Sequence, residues 1–148
     1  MAQARLQGNF GLLYKWDADL ATPAYVVVGC ATSNGFNSSA TVNEQDVNKC
    51  DPETINKNYG GINQSVDFEG HIVTDADKQS YFQLLADQEA QIKPTFKYDF
   101  DANNPGVNVR YFSGIISDIS EVAEVNNDQT WSMTIDVDGK SSTVDPMV

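Results

Sequence analysis

GCATSNGFNSSATVNEQDVNKC, running from Gly29 to Cys50, decides how the rest of the chain is read. Residues 25–28 immediately before it are apolar. The stretch itself turns polar, dense in Ser, Thr and Asn, with Phe36 and Val42 as its few apolar contacts. The pattern predicts a strand at 25–31, apolar enough to be buried on both faces, and a second strand at 35–44. From Val47 the sequence dissolves into Asn, Asp, Lys and Gly as far as Gly61. A loop of that length inside a compact domain is usually functional or disordered. Set between two strands, the second starting near Asn63, it suits an arm offered to a neighbour better than a catalytic loop.

Outward from this stretch, period-2 patterns dominate. A short strand is expected at 9–16. Over 64–73, Val66, Phe68 and Ile72 point one way and Ser65, Asp67, Glu69 and His71 the other, with Gly70 marking a bulge or a close backbone approach. Thr74 and Asp77 have capping-box spacing and open one helix, whose apolar face carries Tyr81, Leu84, Leu85 and Ile92, widened by Phe82. Pro94 stops it, and a strand resumes over 93–100. The turn signal DANNPG at 101–106 leads into strands at 107–119 and 130–138, joined as a hairpin near residues 126–129. In the last strand Trp131, Met133, Ile135 and Val137 face inward, while Ser132, Thr134, Asp136 and Asp138 face outward. The fold class is mainly β: a β-sandwich or partly rolled barrel of seven to eight antiparallel strands with one flanking α-helix. One domain, 1–148, is expected, with an inter-strand loop at 47–61 and a loose tail at 139–148.

Composition narrows the function. Nine Lys and Arg against 21 Asp and Glu give a formal charge of −12. Binding to DNA or anionic lipid by charge needs basic residues that displace counterions, so the balance points to solubility, or to a surface nucleic acid passes without sticking. No window approaches the ~20 apolar residues of a membrane span, and the N-terminus has no secretory pattern. Cys30 and Cys50 make no disulfide framework. The single His71, on an outward row, is a poor general base, and two Cys with one His lack zinc-ligand spacing. Asp99, Asp101 and Asn103 open like an EF-hand loop, but Asn104 stands at its glycine position and Arg110 at its terminal glutamate. No phosphate-cradling glycine loop follows Gly60 and Gly61, and the acidic rows lack the exposed aromatics of a sugar groove. No enzyme, metal or cofactor is expected.

Several segments, in order, resemble one family. They are Leu12-Leu13-Tyr14; VVVGCATSNGF; the exit from Glu44 to Lys49 into the long loop; SVDFEGHIV before the single helix; FSGIISDI from Phe112 to Ile119; and the closing TWSMTIDVDGK. Together they resemble the major tail proteins, or tail tube proteins, of long-tailed phages over about residues 8–140. Asn48 stands where that family often has Thr, and the loop tip lacks its frequent Gly-Gly-Trp. The resemblance implies hexameric rings that stack into a tube in the virion tail, built from subunits made in the host cytoplasm. It also implies a negatively charged bore through which DNA is ejected, and tape measure, tail terminator and distal tail proteins as further partners. Candidate lumen residues are Asp67, Glu69, Asp136 and Asp138. Candidate contacts between subunits or rings are Val47, Asn48, Lys49, Asp51, Pro52, Glu53, Ile55 and Tyr59. The alternatives are the inner tube of a contractile tail or injection system, and a monomeric β-sandwich binding module.

Overall fold

The computed structural model describes residues 11–44, 56–74, 79–104 and 106–147. Seven strands and one helix run in the order β1 (Leu12–Asp17), β2 (Ala24–Val27), β3 (Cys30–Glu44), β4 (Lys57–His71), α1 (Tyr81–Glu89), β5 (Thr95–Asp99), β6 (Val109–Val122) and β7 (Thr130–Val137). They form one antiparallel sheet ordered β2-β1-β5-β6-β7-β4-β3. Of the two shapes expected, this is the rolled one. Asn34 of β3 donates its side-chain amide to the Gly11 carbonyl at 3.1 Å and accepts the Tyr98 hydroxyl at 2.9 Å, closing β3 toward β1 and β5.

Inside the roll lies the period-2 row read from the sequence. Val66 and Phe68 of β4 and Trp131, Met133 and Ile135 of β7 are all buried, facing Leu13, Phe96, Phe112 and Ile116. Phe36, the lone large apolar residue of the polar stretch, meets the rings of Tyr98, Phe100 and Phe112 at 5.9–6.1 Å. Half-buried Phe36 is thus the apolar anchor of β3 over the core, whereas Val42 is exposed.

The helix is shorter and begins later than the sequence suggested. Ser80, not Thr74, is its N-cap, and the Gln83 side chain accepts the Ser80 N–H at 3.0 Å. Asp77 and its neighbours 75–78 lie outside the described residues. Termination comes before Pro94: Gln91 takes a left-handed φ of 57° and Ile92 N–H returns to the Asp87 carbonyl. Ile92 and Phe82 are therefore exposed, and Leu84 is the helix's buried anchor. Lys15 of β1 pairs with Asp87 and donates to Gln79 at 3.2 Å, which fastens the helix to the sheet.

Two strands differ from expectation. The 25–31 run breaks at Gly29, where φ is +49°, so β2 is a four-residue edge strand and β3 starts at Cys30. On the other side of the long loop, pairing resumes at Lys57 rather than near Asn63, so residues 57–61 belong to β4. The 139–147 segment, read as a loose tail, is tied down. Ser142 exchanges backbone hydrogen bonds with Tyr111 at 2.8 Å, Ser141 N–H donates to Gln64 at 2.7 Å, and Asp145 accepts the Tyr25 hydroxyl at 2.8 Å. Burial raises the phenol pKa of Tyr25, helped by that hydrogen bond and the Asp145 charge; burial also raises those of Tyr14, Tyr98 and Tyr111.

Gly70 combines the two readings made of it. The register shifts between Ala31 and Ser33 opposite it, and a Cβ at Gly70 stands 2.5 Å from the Cys30 carbonyl oxygen. Gly70→Ala is expected to lower stability by ~2 kcal/mol, or roughly 4–8 °C in Tm. Gly35→Ala, where a Cβ meets nothing within 4 Å, serves as the neutral control in the same melts. A second expectation concerns alkali. A phenol whose folded pKa is raised contributes stability fully below the unfolded value, about 10, and loses it as pH climbs through the folded value. Denaturant midpoints are thus expected to hold to about pH 10 and then fall. Asp145→Asn is expected to bring one phenolate absorbance step to lower pH; an unchanged titration counts against the clasp.

Candidate functional site: an acidic face between two open edges

Strands β3, β4, β7 and β6 share rows of directly opposed residues. One row reads Gly35, Asp67, Thr134, Asp118. The next reads Ser33, Glu69, Ser132, Ser120, and on the other side lie Asn37, Ser65, Asp136 and Ile115. Residues directly opposed in antiparallel strands share a face, so Asp67, Glu69, Asp118 and Asp136 all project from the side away from the core. All four are exposed. Asp67 is held in place: Asn37 donates to one carboxylate oxygen at 2.9 Å and Thr134 to the other at 3.3 Å. The Ser120 and Ser132 hydroxyls bond each other at 2.8 Å.

Among the described residues, these strand segments carry no compensating cation. None of the nine Lys and Arg falls within residues 30–44, 63–71, 114–122 or 130–137. Between the strands run shallow polar troughs, one of about 300 Å³ lined by Asp67, Glu69, Asp118, Ser132 and Thr134, another of about 510 Å³ beside Asn37, Ser39, Ser65 and Asp136. The buried acids elsewhere serve their own turn: Asp99 accepts Asp101 N–H at 3.0 Å and Asp101 accepts Asn103 N–H at 3.1 Å.

Three of the four lumen candidates therefore come together, and the fourth does not. Asp138 lies past the end of β7, where its N–H donates to the Ser113 carbonyl and its carboxylate faces Lys93 Nζ at 3.4 Å. Asp118 takes the fourth place, and the sequence reading missed it. Strict alternation along β6 sets Asp118 beside buried Ile116; the irregularity between Ile116 and Asp118, with Ser117 as the extra residue, turns it outward. The available signal was energetic, since an aspartate on the core row stands unpaired in apolar surroundings. Among the loop candidates, Val47, Asn48, Lys49, Asp51, Pro52, Glu53 and Ile55 lie outside the described residues. Tyr59 is on β4 rather than in the loop, opposite Val42, and 84% exposed.

Two edges of this four-stranded unit are open. Among the described strands, β3 pairs only with β4. β6 pairs with β5 over Val109–Ser113 and with β7 over Gly114–Val122. On the edge facing away from β7, Gly114 N–H donates to the Pro94 carbonyl at 3.1 Å and the Ile116 carbonyl accepts the Gln88 side chain at 2.9 Å, so among the described residues that edge is bare only from Ser117 onward. Beyond Ser65, β4 leaves β7 and continues with β3 alone as a two-stranded arm carrying Val42 and Tyr59.

A family model described as phage tail tube protein matches residues 10–143. Among solved structures, the virion of a native gene transfer agent particle contains a chain similar in fold, with a TM-score of 0.69 at 12% identity over 95% of this chain and 98% of that one. The tail of an empty gene transfer agent particle, refined with C6 symmetry, gives 0.67 at 14% identity over 90% and 96%. The SPP1 tail tube gives 0.66 at 14% identity over 94% and 82%. No curated protein sequence matches.

Proposed function

Because this chain belongs to the phage tail tube protein family, we propose that six copies close a ring by joining the free edge of β3 to the free edge of β6 on the next copy. The open β6 edge carries the proposal. A strand edge left unpaired in a solitary protein invites pairing with another chain and is normally blunted by Lys, Pro or short length. Here the β3 edge is long, and neither it, from Cys30 to Glu44, nor the free part of the β6 edge, from Ser117 to Val122, contains Lys or Pro. Direction agrees as well. In the order β6-β7-β4-β3 each strand reverses its neighbour, so β3 runs opposite to β6. Rotation about an axis along the strands preserves that sense, and the two edges meet antiparallel, the stronger of the two pairings. The heterologous contact closes through rotation, and the C6 symmetry of the gene transfer agent tail supports six.

Such a ring has two sides. The core, the helix and β1, β2 and β5 lie on one side of the four-stranded unit, so Asp67, Glu69, Asp118 and Asp136 line the other, the bore. Stacked rings repeat this uncompensated charge along a tube. DNA carries one negative charge per ~1.7 Å of axis, and a wall of the same sign, effective within a Debye length of ~8 Å, keeps the duplex from adhering as it is ejected. Ser, Thr and Asn between the acids keep the surface wetted without adding an attractive charge. The tube acts by shape and repulsion, with no reaction performed.

The test is charge reversal. Replacing Asp67, Glu69, Asp118 and Asp136 with Lys is expected to leave rings and tubes visible by electron microscopy while DNA delivery falls roughly ten-fold or more. Delivery at the native rate from tubes bearing all four lysines removes the acidic face from the mechanism.

A further inference from the structure

At the end of the roll where β6 begins, Phe100, Val107, Asn108, Val109, Arg110 and Thr143 line a cleft of about 440 Å³. It is an unusual surface for this chain. Val107 is 70% exposed, and Arg110 has no carboxylate within ion-pair distance among the described residues. In a protein with more than twice as many acidic as basic residues, an apolar cleft with an uncommitted guanidinium is prepared for something apolar and acidic. The two-stranded arm of β3 and β4 has that character. Val42 is 55% and Tyr59 84% exposed, and Glu44 beside them has only a long 4.0 Å contact with Lys57.

Register decides which arm fits. Asn37, Ser65, Asp136 and Ile115 stand in one row. Moving the same number of residues toward the arm from Ser65 along β4 and from Ile115 along β6 brings Tyr59 level with Val109. Rotation about an axis along the strands shifts nothing along that axis. The arm of one copy therefore meets the next copy at the height of its Val107–Arg110 cleft. There the neighbour's β6 edge is already taken by β5, so the arm cannot extend the sheet and must lie against the side chains.

We propose that this cleft is the receiving site for the β3–β4 arm of the adjacent copy in the same ring, with Val42 and Tyr59 on the apolar wall and Glu44 paired with Arg110. The inference rests on the ring proposed above. It adds a lock that sets the register of the edge-to-edge pairing, which backbone hydrogen bonds alone leave free to slip along a polar strand.

Two measurements test it on the full-length chain. A photoreactive phenylalanine analogue at position 59, activated in assembled tubes, is expected to give ladders of linked chains up to six, with adducts mapped to residues 107–110. Tubes whose adducts map to the 123–129 turn at the opposite end overturn the lateral site and leave the ring standing. A native chain that never forms rings overturns the ring and the site together. In parallel, Glu44→Arg or Arg110→Glu alone is expected to raise the concentration needed for assembly about ten-fold, and the double exchange to restore it. If the two effects simply add, the pairing is wrong.

Discussion

Every strand has two edges, and each backbone N–H and C=O along them needs a partner. That requirement organises this molecule more than any side chain does. Among the described residues it is met for β7 and for β4 over Ser65–His71, which lie between neighbours, and left unmet along the outer edge of β3 and along β6 from Ser117 onward. The core needs neither edge. Trp131, Phe68 and Ile135 are buried within the single chain.

The division of charge follows from the same layout. The β3-β4-β7-β6 part of the sheet has a dry side, which the helix and the β1-β2-β5 end cover, and a wet side that none of the described residues covers. Lys15 lies under the helix and Lys93 beside Asp138; Lys97, which register places on the face of Asp136 through Tyr111 and Ile115, is held against the rings of Tyr14 and Tyr25 at the far end of the sheet. Over β3, β4, β7 and β6 the wet side carries acid, hydroxyl and amide groups, with exposed Ile115 among them. Scattered over a monomer, a charge of −12 means solubility; in the proposed ring, the Asp67, Glu69, Asp118 and Asp136 of each copy would give the bore its sign.

Much of this was legible before any coordinates. The inward row of Trp131, Met133 and Ile135 and the outward row of Asp67 and Glu69 follow from period two, because both strands are half-buried and the core enforces their parity. Where burial stops, so does the signal. Residues 57–61 look like loop because a two-stranded arm is wet on both faces and needs no alternation. Asp118 was hidden by one extra residue at Ser117, which inverts parity locally. The helix cap moved to Ser80 because Thr74 and Asp77 satisfy the same pattern, and only packing of Leu84 and the Lys15–Asp87 pair selects between them. The open β6 edge could not be read at all, since which strand stops alongside which is a fact of tertiary pairing.

The ring with an acidic bore is most directly examined by cryo-electron microscopy of tubes assembled from this chain, at a resolution that separates strands. The account expects β3 of each subunit hydrogen-bonded antiparallel to β6 of the next, with Asp67, Glu69, Asp118 and Asp136 turned to the channel. A tube in which those four residues lie on the outer wall, or in which β3 and β6 keep bare edges, contradicts it.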